Sequence, residues 1–412
     1  MADENSGASG KSLSFQCCIV GGGPAGMMLG YLLGRAGIKT VVLEKHADFF
    51  RDFRGDTVHP STMKVMQELG LLDDFLKVPH QNVEIMEGIF GNTTIRLADL
   101  RRLNTPCPYI AFMPQWDFLN FLEGKGRRFS ELQVLKNTEA VDIIKNGDRI
   151  VGVVAKSPGE DLRIAADLTV ACDGRHSTLR DLAGLTVEDV GAPIDVLWFR
   201  VGKTKADSDG VFARIKAGQM MVMLDRDDYW QCAYVIAKGG IEAIKARGLD
   251  AFRANVASLA PVLAKNIGGV KSWDNVKLLT VTIDRLKQWA LPGLLCIGDA
   301  AHAMSPVGGV GVNLAVQDAV ATANLLFDKF GSGGPSLADL EKIQERRSFP
   351  VRVTQGMQVV VQNNLINRAI SEKNLEPPLV MKLVTRFPWL QGITARAIGI
   401  GVRPEHVHSI EA

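Results

Sequence analysis

Hydrophobic positions along the chain change their period several times, and the changes divide it. An apolar run, Cys17 to Val20, predicts a buried strand; Gly21-Gly22-Gly23-Pro24-Ala25-Gly26 follows, and then apolar positions at helical spacing, Met27, Leu29, Tyr31, Leu32 and Leu33. A second strand is expected over Lys39 to Leu43. Strand-like and helical segments alternate to about Leu72, as in a doubly wound sheet. Val134 to Val154 and Leu162 to Val170 then read as β-ribbons, with Asn146-Gly147-Asp148 a turn between Val141–Ile144 and Ile150–Val154. From about Val190 to Trp289 the chain alternates again, in Leu197 to Val201, Met220 to Leu224 and Trp230 to Ile236, before a helix around Ile241 to Leu263. Ser336 to Lys373 carries long helical patterns through Val353, Met357, Val360, Val361, Leu365 and Ile366.

These shifts predict a disordered leader over 1–14. A discontinuous nucleotide-binding domain is expected from 15–75, 110–190 and 290–330, a mixed sheet domain from 76–109 and 191–289, and a helical region over 331–412. At 412 residues the chain is too long for one simple core, which favours interleaved domains. Phe15 to Gly34 lacks charge over 20 residues, yet its glycines and Pro24 argue against a membrane span. With 47 Lys plus Arg against 45 Asp plus Glu, nothing calls for nucleic acid or an anionic membrane as partner. Six scattered cysteines show no metal-ligand spacing; they read as reduced core residues, and a cytoplasmic location and no metal are expected. The apolar stretch Phe387 to Leu390 through Ile398 to Gly401 suggests packing on its own domain, or contact with a membrane or second subunit.

The first glycine segment has the form of a dinucleotide fingerprint. Gly21 allows the tight turn, Gly23 lets backbone approach a pyrophosphate, and Gly26 lets helix and strand pack closely. Pro24 and Ala25 open a helix whose N-terminal amides and partial positive charge favour an anion. Glu44, 18 residues after Gly26, stands where a carboxylate accepts from both ribose hydroxyls, which argues against a 2′-phosphate, and Lys45 beside it joins the candidate set.

Three segments, in order, resemble the single-component flavoprotein hydroxylases of the p-hydroxybenzoate hydroxylase type. They are Gly21–Gly26, then Cys172-Asp173-Gly174-Arg175-His176-Ser177-Thr178-Leu179-Arg180, then Gly298-Asp299 through Pro306-Val307-Gly308-Gly309-Val310-Gly311-Val312-Asn313. The resemblance spans roughly Phe15 to Asn324. It implies an α/β fold, a Rossmann-like FAD-binding domain of the GR2 flavoprotein type with an interleaved mixed β-sheet substrate domain and a helical C-terminal region. It also implies FAD contacts from Arg54, Gln115 (where many relatives carry Arg), Asp173 and Asp299, with the last segment along the ribityl chain and isoalloxazine. Asp299, at the end of a strand over Leu294 to Ile297, can accept from a polyol. Amides of Gly311 and Val312 would face the flavin's pyrimidine edge, where reduced flavin is negative, and Gly309 and Asn313 join the candidate cofactor-binding set.

The activity this implies is NAD(P)H-dependent hydroxylation of an aromatic or polycyclic small molecule by O2, through a C4a-hydroperoxide. NADPH or NADH would act as a transient reductant, because no second fingerprint follows a strand. Pro306 would form a rigid, aprotic wall beside the ring. Pro306, His59 and Arg200 are weak catalytic candidates; Arg200 is a charge in an apolar strand that needs a partner, and His302 reads as a packing residue. Trp198, Arg200, Met221, Met223, Trp230, Gln231 and Tyr234 alternate enough to line a pocket for a flat apolar substrate, or equally a plain core. A monomer or homodimer is expected. An alkene (prenyl-lipid) reductase or a non-catalytic flavin-binding protein would use the same fold; a halogenase is disfavoured by the lack of a WxWxIP pattern.

Overall fold

The computed structural model describes residues 11–50, 56–204, 213–216, 218–226, 228–363 and 376–412. Arg54, Leu365 and Ile366 lie outside them.

The nucleotide-binding half is built on a sheet ordered Ala290–Leu291, Leu294–Cys296, Glu160–Ala171, Lys11–Val20, Thr40–Leu43, Leu132–Leu135, in which the last five run parallel. Cys18 stands opposite Thr169 on one side and Val41 on the other. Thr40–Leu43 is buried at every position, the continuous apolar run that a parallel strand covered on both faces requires. Arg149–Ser157 and Glu139–Asn146 extend the ribbon antiparallel from Glu160–Ala171. Helices Pro24–Arg35 and Gly311–Leu326 pack on the sheet and on each other; the second is buried almost all round.

The other large sheet has seven strands, ordered Lys277–Leu279, Ile194–Gly202, Tyr229–Ala237, Gln219–Asp225, Ala213–Lys216, Ile85–Phe90, Thr93–Asp99. Its outer face is sealed by helix Leu249–Leu259. Phe252 inserts among the rings of Phe199, Tyr234 and Trp273 at centroid distances of 5.3, 5.6 and 5.4 Å. Small sheets join the two halves: Thr57–Val58, Ile110–Phe112 and Gln81–Val83 form one, Val187–Asp189 and Asp284–Leu286 another.

Several elements differ from the sequence reading. The first strand begins at Lys11, with Lys11 to Ser14 in register with Leu162 to Ala165, so residues 11–14 are sheet rather than leader: a polar strand end is held once its partner supplies the hydrogen bonds. The helix expected over Ile241 to Leu263 is two helices, Ile241–Ala246 and Leu249–Leu259, because Gly248 has a positive φ of 88°. Leu337–Val361 is one helix that continues through Pro350. All six cysteines are buried and free.

Candidate active site

The glycine segments meet at the carboxyl ends of the parallel strands Lys11–Val20, Glu160–Ala171 and Leu294–Cys296, where open α/β sheets bind ligands. Gly21 has a φ of 107°, its N–H donates to the Leu43 carbonyl at 2.8 Å, and a Cβ on it would lie 2.4 Å from the Cys172 carbonyl oxygen. A Cβ on Gly26 would lie 2.0 Å from the Gly21 carbonyl oxygen, whereas one on Gly23 would meet nothing within 4 Å. The loop is therefore closed behind by Gly21 and Gly26 and open in front at Gly23. Gly23 is the N-cap of a helix with Pro24 at its start, Ala25 buried behind it and no acidic residue in its first turn, so an anion meets unsatisfied amides without opposing charge.

Glu44 is nearly buried beside this loop. Its Oε2 accepts from the Gly22 N–H at 3.2 Å and its Oε1 from the His46 N–H at 3.0 Å, which fixes the carboxylate at the strand end. Lys45 next to it is exposed. Gln115 is half-buried at the start of helix Gln115–Gly126.

The middle segment buttresses the first. The Cys172 N–H donates to the Val20 carbonyl at 2.7 Å. Asp173 Oδ2 accepts from the Leu179 N–H at 3.3 Å, while buried Oδ1 has no hydrogen-bond partner; burial raises this carboxyl above its ordinary value. Ser177 caps helix Thr178–Leu182, accepting from the Arg180 N–H at 3.1 Å. The nearly buried Arg180 reaches the carbonyls of Arg175 at 2.8 Å and Ala300 at 3.4 Å, and Arg175 lies 3.6 Å from Asp299, so this segment grips the third.

Asp299 occupies a helical turn, Gly298–Ala300, after the strand rather than the strand end itself, because Gly298 takes a positive φ of 60°. Pro306 leads the turn Val307–Gly309. Gly309, at a φ of 63°, presents its carbonyl to the Thr57 hydroxyl at 2.8 Å, and a Cβ there would strike that oxygen. Gly311 opens helix Gly311–Leu326, has open space where a Cβ would stand, and has no acidic residue in the following turn; Val312 is buried. Asn313 turns inward. Its Oδ1 accepts from the Thr62 hydroxyl at 2.6 Å and the His59 N–H at 3.3 Å.

Neither histidine candidate faces a reacting centre. His59 is fully buried, its Nδ1–H donates to the Ile398 carbonyl at 2.9 Å, and burial lowers its pKa from 6.5 to about 4. It is a neutral strut rather than a catalytic group. His302 packs on Trp289 and bonds buried Asp318 at 2.6 Å; Asp318 in turn accepts from Arg347 at 2.8 Å. Arg200 is exposed, with its guanidinium 4.9 Å from the Tyr229 ring centre.

The pocket residues inferred from alternation fall on two faces. Met221, Met223, Trp230 and Tyr234 point outward into the core under Leu249–Leu259. Trp198 packs on the inner face, where half-buried Trp198, Met220 and Val222 join Val307 of the third glycine segment. That apolar face, the roof, meets the glycine shelf at Val307, next to Pro306. Every residue from Trp230 to Ile236 is buried, so period alone could not tell the faces apart.

Sequence reasoning missed Asp56 and Arg226. Asp56 is buried, Arg226 lies 3.1 Å from its Oδ2, and Gln231 donates to the same oxygen. Arg226 Nε also donates to Gln231 Oε1 at 3.2 Å. Burial raises the Asp56 carboxyl, with Arg226 and Gln231 opposing the shift. Arg226 stands beside Asp225, Asp227 and Asp228, a composition that reads as a solvated turn; the available signal was Asp56 itself, a lone carboxylate between Gly55 and a strand.

An open glycine cradle at a helix start, a carboxylate beside it, an unpartnered Asp173 oxygen and a second helix start under an apolar roof define a dinucleotide-binding flavoprotein, and these residues fit FAD. Residues 14–356 match the FAD binding domain family, and the chain belongs to it. It is 28% identical over 384 residues to 6-methylpretetramide 4-monooxygenase of Streptomyces rimosus, covering 92% of this chain and 91% of that protein. It is 27% identical over 356 residues to para-nitrophenol 4-monooxygenase of Pseudomonas sp. (strain WBC-3), covering 80% and 82%. Among solved structures, the OxyS anhydrotetracycline hydroxylase from Streptomyces rimosus shares the fold at a TM-score of 0.73 and 21% identity, over 95% of this chain and 77% of that one. The protein is an FAD-dependent monooxygenase of the p-hydroxybenzoate hydroxylase type. Among the described residues no helix is long and apolar enough to cross a membrane, and no group of side chains could hold a metal ion.

Proposed function

We propose that the protein hydroxylates a flat aromatic or polycyclic molecule with O2, drawing electrons from NADPH or NADH. The observation that carries this reading is the inner sheet face, where Trp198, Met220 and Val222 pack against the same apolar cluster, Ile194, Val196, Ala233, Val235 and Val281, as Val307 of the third glycine segment. Its relatives' names, which specify aromatic substrates, support the same class.

The FAD would lie with its diphosphate at Gly23, Pro24, Ala25 and the amides behind them, its adenosine ribose at Glu44, and its ribityl and ring portions along Asp173, Asp299 and Pro306 to Val312. FAD, when bound, accepts a hydride and activates O2. The chain's part is positioning and exclusion: amides at Gly311 and Val312 stabilise negative charge on the ring, and the Pro306 and Val307 wall offers no proton donor from proline and keeps water out. No side chain is assigned as acid or base.

The test is stopped-flow reduction of the FAD-loaded protein under anaerobic conditions with NADPH or NADH, with and without a panel of phenolic and polycyclic aromatics, followed by isotope-labelled O2. Reduction should be slow alone and faster with a fitting aromatic, which then carries one labelled oxygen. Equal reduction rates with every ligand would remove the gating, and no labelled product across the panel would remove the aromatic reading.

A further inference from the structure

The helices Leu379–Arg386 and Pro388–Gly399 pack on the edge strand Thr93–Asp99 through one side only. The Thr385 hydroxyl accepts from the Arg96 N–H at 3.1 Å, the Thr394 hydroxyl donates to the Leu97 carbonyl, and Gln391 and Ala395 are buried. The opposite side is apolar and open. Leu379, Val380 and Leu383 are 72, 69 and 41% exposed on the first helix, Phe387 is 43% exposed at the junction, and Trp389 and Ile393 are 63 and 56% exposed on the second. Leu379 and Val380 lie three to four residues before Leu383, which lies four before Phe387, and Ile393 lies four after Trp389, so each set forms an apolar stripe. An exposed apolar surface of this kind marks an interaction site rather than ordinary scatter.

The charge on this surface selects its occupant. Between Glu376 and Glu405 the chain carries no carboxylate side chain, and its charged residues are Lys382, Arg386, Arg396 and Arg403. Lys382 meets Glu376 at 2.8 Å, and Arg403 stacks on Phe349 with its guanidinium 4.4 Å from the ring centre. Arg386 and Arg396 are exposed beside the apolar stripes. The whole chain is nearly neutral, at +2, so this cationic bias is local. A second copy docking by a two-fold contact would bring these like charges together; an anionic sheet of lipid headgroups would neutralise them. Trp, Phe and Leu on one side with Lys and Arg flanking is the composition of a helix lying in the interfacial layer of a bilayer.

We propose that the outer face of helices Leu379–Arg386 and Pro388–Gly399 is a peripheral docking surface for anionic lipid bilayers. Apolar side chains enter the headgroup boundary while the cations meet phosphate and carboxylate groups, so binding weakens with salt and disappears on neutral lipid.

Sedimentation of the FAD-loaded full chain with phosphatidylcholine vesicles, with and without phosphatidylserine, tests this. The chain should pellet with the phosphatidylserine vesicles and bind pure phosphatidylcholine about tenfold or more weakly. Leu383→Glu with Trp389→Glu, and separately Lys382→Glu with Arg386→Glu, should each release it while the flavin spectrum stays unchanged, which certifies the fold. A chain that remains in the supernatant at low salt, or binding undiminished in both double variants, would overturn the proposal. So would a concentration-dependent dimer that these variants abolish, which would assign the face to a second copy. The readout is sedimentation, so it stands or falls independently of the oxygen chemistry.

Discussion

At the scale of single residues the three glycines of the first loop divide the work of the fold from the work of the site. Gly26→Ala forces a methyl against a carbonyl 2.0 Å away and should cost ~3 kcal/mol or more of folding stability, read as a lowered midpoint in urea. Gly23→Val meets open space at a φ of −75° that any residue adopts, so it should melt with the parent yet lose its yellow colour on gel filtration. A Gly23→Val protein that keeps its flavin would move the diphosphate elsewhere. His59 carries a pH signature. Its folded pKa of about 4 lies below the ordinary 6.5, so the unfolded chain binds the extra proton; the stability from keeping it neutral is present above about 6.5 and lost as pH falls toward 4. The loss is up to about 3 kcal/mol, and His59→Gln should flatten that part of the stability profile; an equally steep fall in the variant would place the titration in another group. The glycines were legible because their geometry is local, between Gly21 and Gly26. His59 was not, because the carbonyl that occupies it belongs to Ile398, far along the chain.

Among elements, the informative contact is between the sheet carrying Gln231 and Asp56, just before the strand Thr57–Val58. A buried carboxylate and guanidinium, each 6% exposed, gain little net from pairing, yet removing one strands the other. Arg226→Met should therefore destabilise by about 3–5 kcal/mol, and Asp56→Leu added to it should restore most of that, as followed by thermal unfolding. Additive losses would mean the pair is uncoupled. Strand identity was readable here and strand facing was not: Tyr229–Ala237 is covered on one side by Leu249–Leu259 and on the other by Val281 and Val307, with Asp56 against Gln231, so polarity does not alternate. Helix breaks at Gly248 and the continuation through Pro350 were likewise decided by tertiary packing over local preference.

For the whole molecule, the two sheets are threaded through each other by the chain, which leaves the glycine half after Val58, returns at Leu132 and again at Ala290. Segments far apart in sequence consequently make one shelf, and Arg180 is the cross-tie between two of them. The three glycine segments are legible in the sequence as motifs, whereas the join between shelf and roof stayed hidden because its parts, Asp56 and Arg226, carry no motif. That join has a practical side. Adjacent residues Asp56 and Thr57 look in different directions, the first to Arg226 and Gln231 of the roof and the second to the Gly309 carbonyl of the shelf. Anyone building chimaeras with relatives to exchange substrate range would have to transplant the roof together with this dipeptide, since a foreign sheet lacking the arginine would inherit a sequestered, uncompensated acid at the seam.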